Sequence, residues 1–147
     1  MKKYRPPEFL EGVVPQEAYE RWLDRKAKKH VKRDRARGNQ TATVEQYKTA
    51  IHQAVEESNG KDAYTNEELN WFLLSQYDNE QSKKHGRKYK KAFALLPSLD
   101  HVGNGIGLAD FKICAWRTND AKNDLSYEEF LELSHKVIRA EKSRAGY

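Results

Sequence analysis

The sequence predicts an α+β fold, mostly helical, with one short strand pair towards its C-terminal end. Three observations carry this. Apolar residues recur at helical spacing behind capping signals at 44–58 and again after Ser126. The run Phe93-Ala94-Leu95-Leu96-Pro97-Ser98-Leu99 leads into Asp100-His101 as one strand, and Phe111 to Trp116 reads as a second. Between them Gly103, Gly105 and Gly107 make a permissive loop.

The chain has 147 residues, which favours a single domain with a peripheral extension. Mean hydropathy is −1.01. Yet 3 Trp, 8 Tyr and 5 Phe are enough large side chains for a modest core, so the chain is expected to be globular with solvated arms rather than disordered. The single cysteine, Cys114, excludes an internal disulfide and a cysteine-based zinc knuckle. Its place in an apolar strand predicts a buried thiol. No stretch is apolar enough to cross a membrane and the N-terminus lacks the apolar core of a signal peptide, so a cytoplasmic location is expected.

Residues 1–61 are expected to form an extended segment, two helices and a basic arm. Pro6, Pro7 and Gly12 disfavour a helix before Pro15, a suitable first-turn residue. Tyr19, Trp22 and Leu23 form an apolar patch at the start of the first helix. Beyond Lys26 the apolar stripe fades, which predicts an exposed basic helix reaching Gly38-Asn39. Arg21 to Arg37 holds nine Lys/Arg against two Asp, while the whole chain is only +5. A concentrated basic run suggests a polyanion partner, most simply nucleic acid, with a solvated helix face as the plain alternative. A second helix fits Val44 to Ser58, with Thr43 and Gln46 as a capping box and Asn59-Gly60 as its stop. His52 lies among polar neighbours and is expected to be exposed.

Residues 62–147 carry the candidate chemistry. Asp62 to Glu67 suggests a short strand and turn, with a helix from Glu67 to Leu74. Residues 75–91 are polar and basic, and Gly86 argues for a loop there that touches a phosphate backbone or moves freely. Asn119 and Asn123 are four apart, so on a helix they share a face. A final helix begins at Ser126, with Glu129 completing a second capping box and Phe130, Leu133, Val137 and Ile138 as a buried face. His135 is expected to be exposed or structural.

Phosphodiester hydrolysis needs an activated water and relief of negative charge at the leaving oxygen. Histidine suits the base role because it titrates near neutrality. Magnesium prefers oxygen ligands and keeps several waters. Asp100, Asn119 and Asn123 all supply oxygen, which suits Mg2+ or Mn2+ and argues against zinc. Taken singly, each has a plain reading as a helix cap or surface residue.

The segment from about Asp62 to Asp124 resembles the HNH nuclease family, whose fold is the ββα-metal finger. The pair Asp100-His101 sits where that family closes its first strand. Asp110 holds the loop position, Asn119 follows nine residues later and Lys122 three further on. The resemblance implies His101 as general base, Asp100 and Asn119 as metal ligands, and Asn123 as a further ligand. It implies that Asp110 orients His101 through a hydrogen bond and that Lys122 contacts phosphate. The chain departs from the family in having Asp at the middle position, Asn at the last, and none of the zinc-binding cysteines of many relatives. An apolar core of Phe111, Ile113, Trp116, Leu125 and Phe130 must then hold the finger, and no structural zinc is expected.

The leading expectation is a metal-dependent endonuclease acting on DNA. Arg25, Lys28, Lys29, Lys32 and Arg33 on the basic helix, with Lys83, Lys84 and Arg87 in the second basic stretch, would hold the backbone. The alternatives are a non-catalytic nucleic-acid-binding protein with a degenerate finger, and a partner-dependent subunit of a restriction or phage-defence system. In the last, Tyr19 and Trp22 would form an exposed docking patch. A homodimer is a further possibility that the sequence leaves undetermined.

Overall fold

A computed structural model describes residues 3–74, 79–103 and 105–146. Its elements are α1 (Gln16–Ala36), α2 (Val44–Ser58), α3 (Asn79–His85), α4 (Arg87–Ala92), β1 (Pro97–His101), β2 (Phe111–Ala115), α5 (Trp116–Lys122) and α6 (Tyr127–Arg144), with 3-10 turns at Glu8–Leu10 and Trp71–Leu73. The fold is therefore α+β and mostly helical. β1 and β2 pair antiparallel, with Leu99 opposite Ile113 and His101 opposite Phe111.

The capping boxes of α2 and α6 form as their sequences dictate. Thr43 accepts from the Gln46 amide and Gln46 returns a bond to the Thr43 amide; Ser126 and Glu129 do the same. α2 stops at Asn59 in the left-handed region (φ 50°), followed by Gly60 (φ 83°).

α1 differs from expectation. Tyr19, Trp22 and Leu23 are fully buried against α2 and cannot be a docking patch. Nor does the buried stripe fade after Lys26. It continues through Ala27, His30, Val31 and Asp34, at helical spacing. Two of those four are polar, so an apolar pattern could not reveal them. His52 is also half-buried rather than exposed, with its Nδ1 at 2.7 Å from the Tyr19 hydroxyl.

One apolar core joins Leu23, Ile51 and Val55 of the helices to Leu99, Phe111 and Ile113 of the hairpin. α2 packs on β2, and α5 packs on both strands. Trp116, Leu125 and Phe130, expected in this core, are only half-buried. Cys114 is fully buried, and burial pushes its thiol well above the ordinary range, so it is an inert core residue.

Other segments depart further. The expected extended segment contains the 3-10 turn at Glu8–Leu10, and its residues 1–2 lie outside the described residues. Glu67 to Leu74 is not a helix but an isolated bridge, Lys61 with Glu68, and a 3-10 turn. Of the expected loop at 75–91, residues 75–78 lie outside the described residues and the rest forms α3 and α4. Gly86 does not dissolve that stretch; at φ 58° it turns one short helix into the next. The expected buried face of α6 is absent, since none of its residues is buried.

α5 begins at Trp116, three residues before the amide pair, because distant groups cap it. Its Trp116 and Arg117 amides donate to the Leu96 and Ala94 carbonyls. Asp62, buried at the end of the α2 turn, accepts the Ala115 amide at 2.9 Å and the Thr118 hydroxyl at 2.7 Å. It also accepts the Tyr64 and Thr65 amides. Burial opposes its charge, but these bonds outweigh that and hold its carboxyl below the usual range.

Candidate functional site

Successive strand residues face opposite sides of a sheet, so Asp100 and His101 are sent apart. Asp100 turns towards α5 and Tyr64. His101 turns towards α1. A cleft of about 750 Å³ wraps the end of β1 and is lined by both, with Asn119, Asp120 and Asn123 along one wall and His30, Arg33 and Arg37 along another.

On the α1 side, His101 Nε2 lies 2.5 Å from Asp34 Oδ2, and the same oxygen accepts the Tyr47 hydroxyl. Burial opposes ionisation of Asp34, but the bonds from Tyr47 and His101 outweigh it and keep the carboxyl below its ordinary range. Asp34 is thus an acceptor, and the Nε2–H of His101 is its donor. His101 Nδ1 lies 3.1 Å from the Val102 carbonyl. Asp110, expected to orient His101, does not: its side chain is exposed and its carbonyl only accepts the Val102 amide. The orienting carboxylate comes from α1, 67 residues away in sequence.

The β1–β2 loop closes over this pair. Asn39 donates to the Gly105 carbonyl at 2.8 Å, and Gly105 (φ 79°) rests against Asp34. A Cβ at position 105 would lie 2.6 Å from Asp34 Oδ1. Gly105→Ala is therefore expected to cost about 2 kcal/mol or more, from the positive φ and the displaced carboxylate together. Urea denaturation checks this, with Gly107→Ala as the neutral comparison because position 107 has open space around it.

His30 is buried 5.5 Å from His101, ring to ring, and its Nδ1 has no hydrogen-bond partner among the described residues. Burial, with the neighbouring His101 and Arg33, pushes its pKa down to about 3. Below an unfolded value near 6.5, the unfolded chain therefore takes up a proton that the folded one refuses. Stability from this group is present above that value and falls with pH below it, by up to about 1.4 kcal/mol per pH unit. Unfolding free energies from pH 7 to 5 should show this slope, and His30→Gln should flatten it.

On the α5 side, Asp100 Oδ2 accepts the Tyr64 hydroxyl at 2.5 Å and lies 3.1 Å from the Lys122 ammonium. Burial and the bond to Asp100 raise the Tyr64 pKa, so its phenol stays protonated as donor. Lys122 is buried and also donates to the Leu125 carbonyl at 2.6 Å. It is a partner of Asp100 and of the chain turn, not the free phosphate contact expected from sequence. Asn119 donates through Nδ2 to Ser98 Oγ and the Leu99 carbonyl, both at 3.3 Å.

Asn123 does not share a helix face with Asn119. α5 ends at Lys122, and Asn123 is its exposed C-cap (φ 51°, ψ −124°). Both amides still line the cleft. Among the described residues no three His, Cys, Asp or Glu side chains converge on a point that would hold a metal ion. Of the expected ligands carried on β1 and α5, the free oxygens are Asp100 Oδ1 and the Asn119 amide oxygen, neither hydrogen-bonded among the described residues, and the Asn123 amide lines the cleft from beyond the helix. Two oxygens suit a weakly held Mg2+ that keeps most of its waters.

Of the basic residues expected to hold the backbone, Arg33 lines the cleft, joined by Arg37 one turn on, and Lys122 lines it while paired with Asp100. Arg25, Lys28, Lys29 and Lys32 do not line it, and Lys28 pairs with Asp24 at 2.7 Å. Lys83, Lys84 and Arg87 are exposed on α3 and α4, also outside the cleft. Sequence reasoning missed Asp34, His30, Tyr47, Tyr64 and Arg37 as site residues. The one signal for Asp34 was a carboxylate standing at helical spacing from buried positions inside a basic run. The chain matches no family model, no curated protein and no solved structure.

Proposed function

We propose that this protein is a metal-dependent endonuclease of the HNH type, hydrolysing phosphodiester bonds in DNA. The observation that carries the reading is one cleft lined by Asp100, His101, Asn119, Arg33 of the basic helix and Arg37 at its C-cap. The order β1, β2, α5 supports likeness to a ββα-metal finger, with Asp62 and the apolar core in place of zinc ligands.

In this reading Arg33 and Arg37 receive the phosphate backbone at the cleft's mouth. Asp34 accepts the Nε2–H of His101 and fixes the ring, so that Nδ1 is the basic atom, and the Val102 carbonyl 3.1 Å away accepts from it once it is protonated. Nδ1 takes the proton of the attacking water, and the Asp34 carboxylate stabilises the imidazolium that results. Tyr64 and Lys122 hold Asp100 by one oxygen and leave the other for a cation. Asn119, pinned to β1 by its nitrogen, offers its amide oxygen to the same cleft. A divalent cation at this pair would supply charge relief at the scissile phosphate and the leaving oxygen.

Two measurements test the reading. Supercoiled plasmid should be nicked in Mg2+ or Mn2+ and spared when the metal is chelated. DNA affinity should fall steeply with salt, and Arg33→Ala with Arg37→Ala should reduce the magnitude of that log–log slope by about 1.8. An unchanged slope would remove Arg33 and Arg37 from the interface. Salt-dependent binding without cleavage in any metal would favour the alternative, a non-catalytic nucleic-acid-binding protein.

A further inference from the structure

We infer that α6 pairs antiparallel with α6 of a second copy of this chain. α6 is an 18-residue helix, about 27 Å long, in which no residue is buried. Its first turn is tied to the body, where Tyr127 stacks on Tyr64 with ring centres 5.4 Å apart. Beyond that turn Leu131, Leu133, Val137 and Ile138 stand 41–59% exposed. With Phe130 they make one broad apolar face at helical spacing, and such a face on a helix is ordinarily covered.

The charges indicate what covers it. The first half of α6 carries Glu128, Glu129 and Glu132. The second half carries Lys136, Arg139, Lys142 and Arg144 against Glu141 alone. A lipid surface or a nucleic acid would favour basic residues along the whole helix, and the acidic half opposes both. An antiparallel second copy answers both halves at once. Crossing near His135, it sets Leu133 against Val137, Phe130 against Ala140 and the acidic half against the basic half, twice over by two-fold symmetry. Two helices alone bury less than the roughly 800 Å² per partner of a standard interface, so the dimer is expected to depend on concentration.

Sedimentation velocity of the full chain, across roughly 1 µM to 1 mM, tests this. A monomer–dimer equilibrium is expected, and Leu133→Glu with Val137→Glu should weaken it about tenfold or more by burying charge. Because α6 contributes nothing to the core, that variant keeps the thermal transition of the monomer. Glu128→Lys with Glu132→Lys, and separately Arg139→Glu with Lys142→Glu, should each lose self-association, and mixing the two should restore a dimer. A chain that stays monomeric throughout overturns the inference, as does a dimer indifferent to the Leu133 and Val137 changes. A monomer that binds phosphatidylglycerol vesicles through this face would overturn it in favour of a membrane surface.

Discussion

Asp62→Ala is expected to lower the unfolding free energy by about 3 kcal/mol or more. The carboxylate is buried and takes four bonds, from the Ala115, Tyr64 and Thr65 amides and the Thr118 hydroxyl. Bonds to an ionised acceptor are the strong kind, and removing it leaves donors unpaired where water enters poorly. The damage is local to the site as well. Asp62 holds the start of α5, which carries Asn119, and the turn that presents Tyr64 to Asp100. Asp62→Asn keeps the shape and part of the bonding, so it should lose less than the alanine variant. Urea denaturation gives both values; an alanine variant within 1 kcal/mol of the parent, well short of the roughly 3 expected, would show that the hydrogen bonds are not what anchors α5.

The second large effect concerns activity. On the proposed nuclease reading, Asp34→Asn is expected to reduce metal-dependent cleavage about 10²- to 10⁴-fold, while Asp110→Asn leaves it nearly unchanged. Asparagine can meet the imidazole with an N–H rather than an acceptor, which reverses the tautomer that places the base at Nδ1. It also withdraws the charge that stabilises the imidazolium. The side chain of Asp110 is exposed and has no part in the bonds of His101. Single-turnover rates with saturating DNA separate the two. The reverse ranking, Asp110 essential and Asp34 dispensable, would return the orienting role to the loop.

What could be learned from sequence followed the range of the interactions. The ends of α2 and the start of α6 were legible because capping acts within three residues, and Asn59-Gly60 is a local stop. The strand pair was legible from two apolar runs around a glycine loop, although β1 begins only at Pro97, after a turn at 93–95, and Trp116 belongs to the helix. The start of α5 was not, because its caps come from Asp62 and from carbonyls at 94 and 96. The second half of α1 looked exposed because its buried positions include His30 and Asp34, whose burial is justified only by His101 and Tyr47 far along the chain. The same pairing hid the true partner of His101. The face of α6 was visible as a pattern, and only the structure reveals that nothing in the described chain covers it.

Asp100, His101 and Asn119 were singled out by spacing, and all three line one cleft. Asn123 lines it from outside the helix, and Lys122 is turned inward to Asp100. The basic run stands out by its charge, yet its bearing on the site comes through two arginines and a buried aspartate. A charge count cannot tell which side of a helix faces a cleft.

The most direct measurement is plasmid cleavage by the purified chain in Mg2+, Mn2+ or chelator, beside His101→Ala matched for folding by circular dichroism. Nicking or linearisation that requires metal and is lost in His101→Ala, with DNA affinity retained, is the expected result. Cleavage that survives the loss of His101, or no cleavage in any metal by a folded parent, would contradict the nuclease reading.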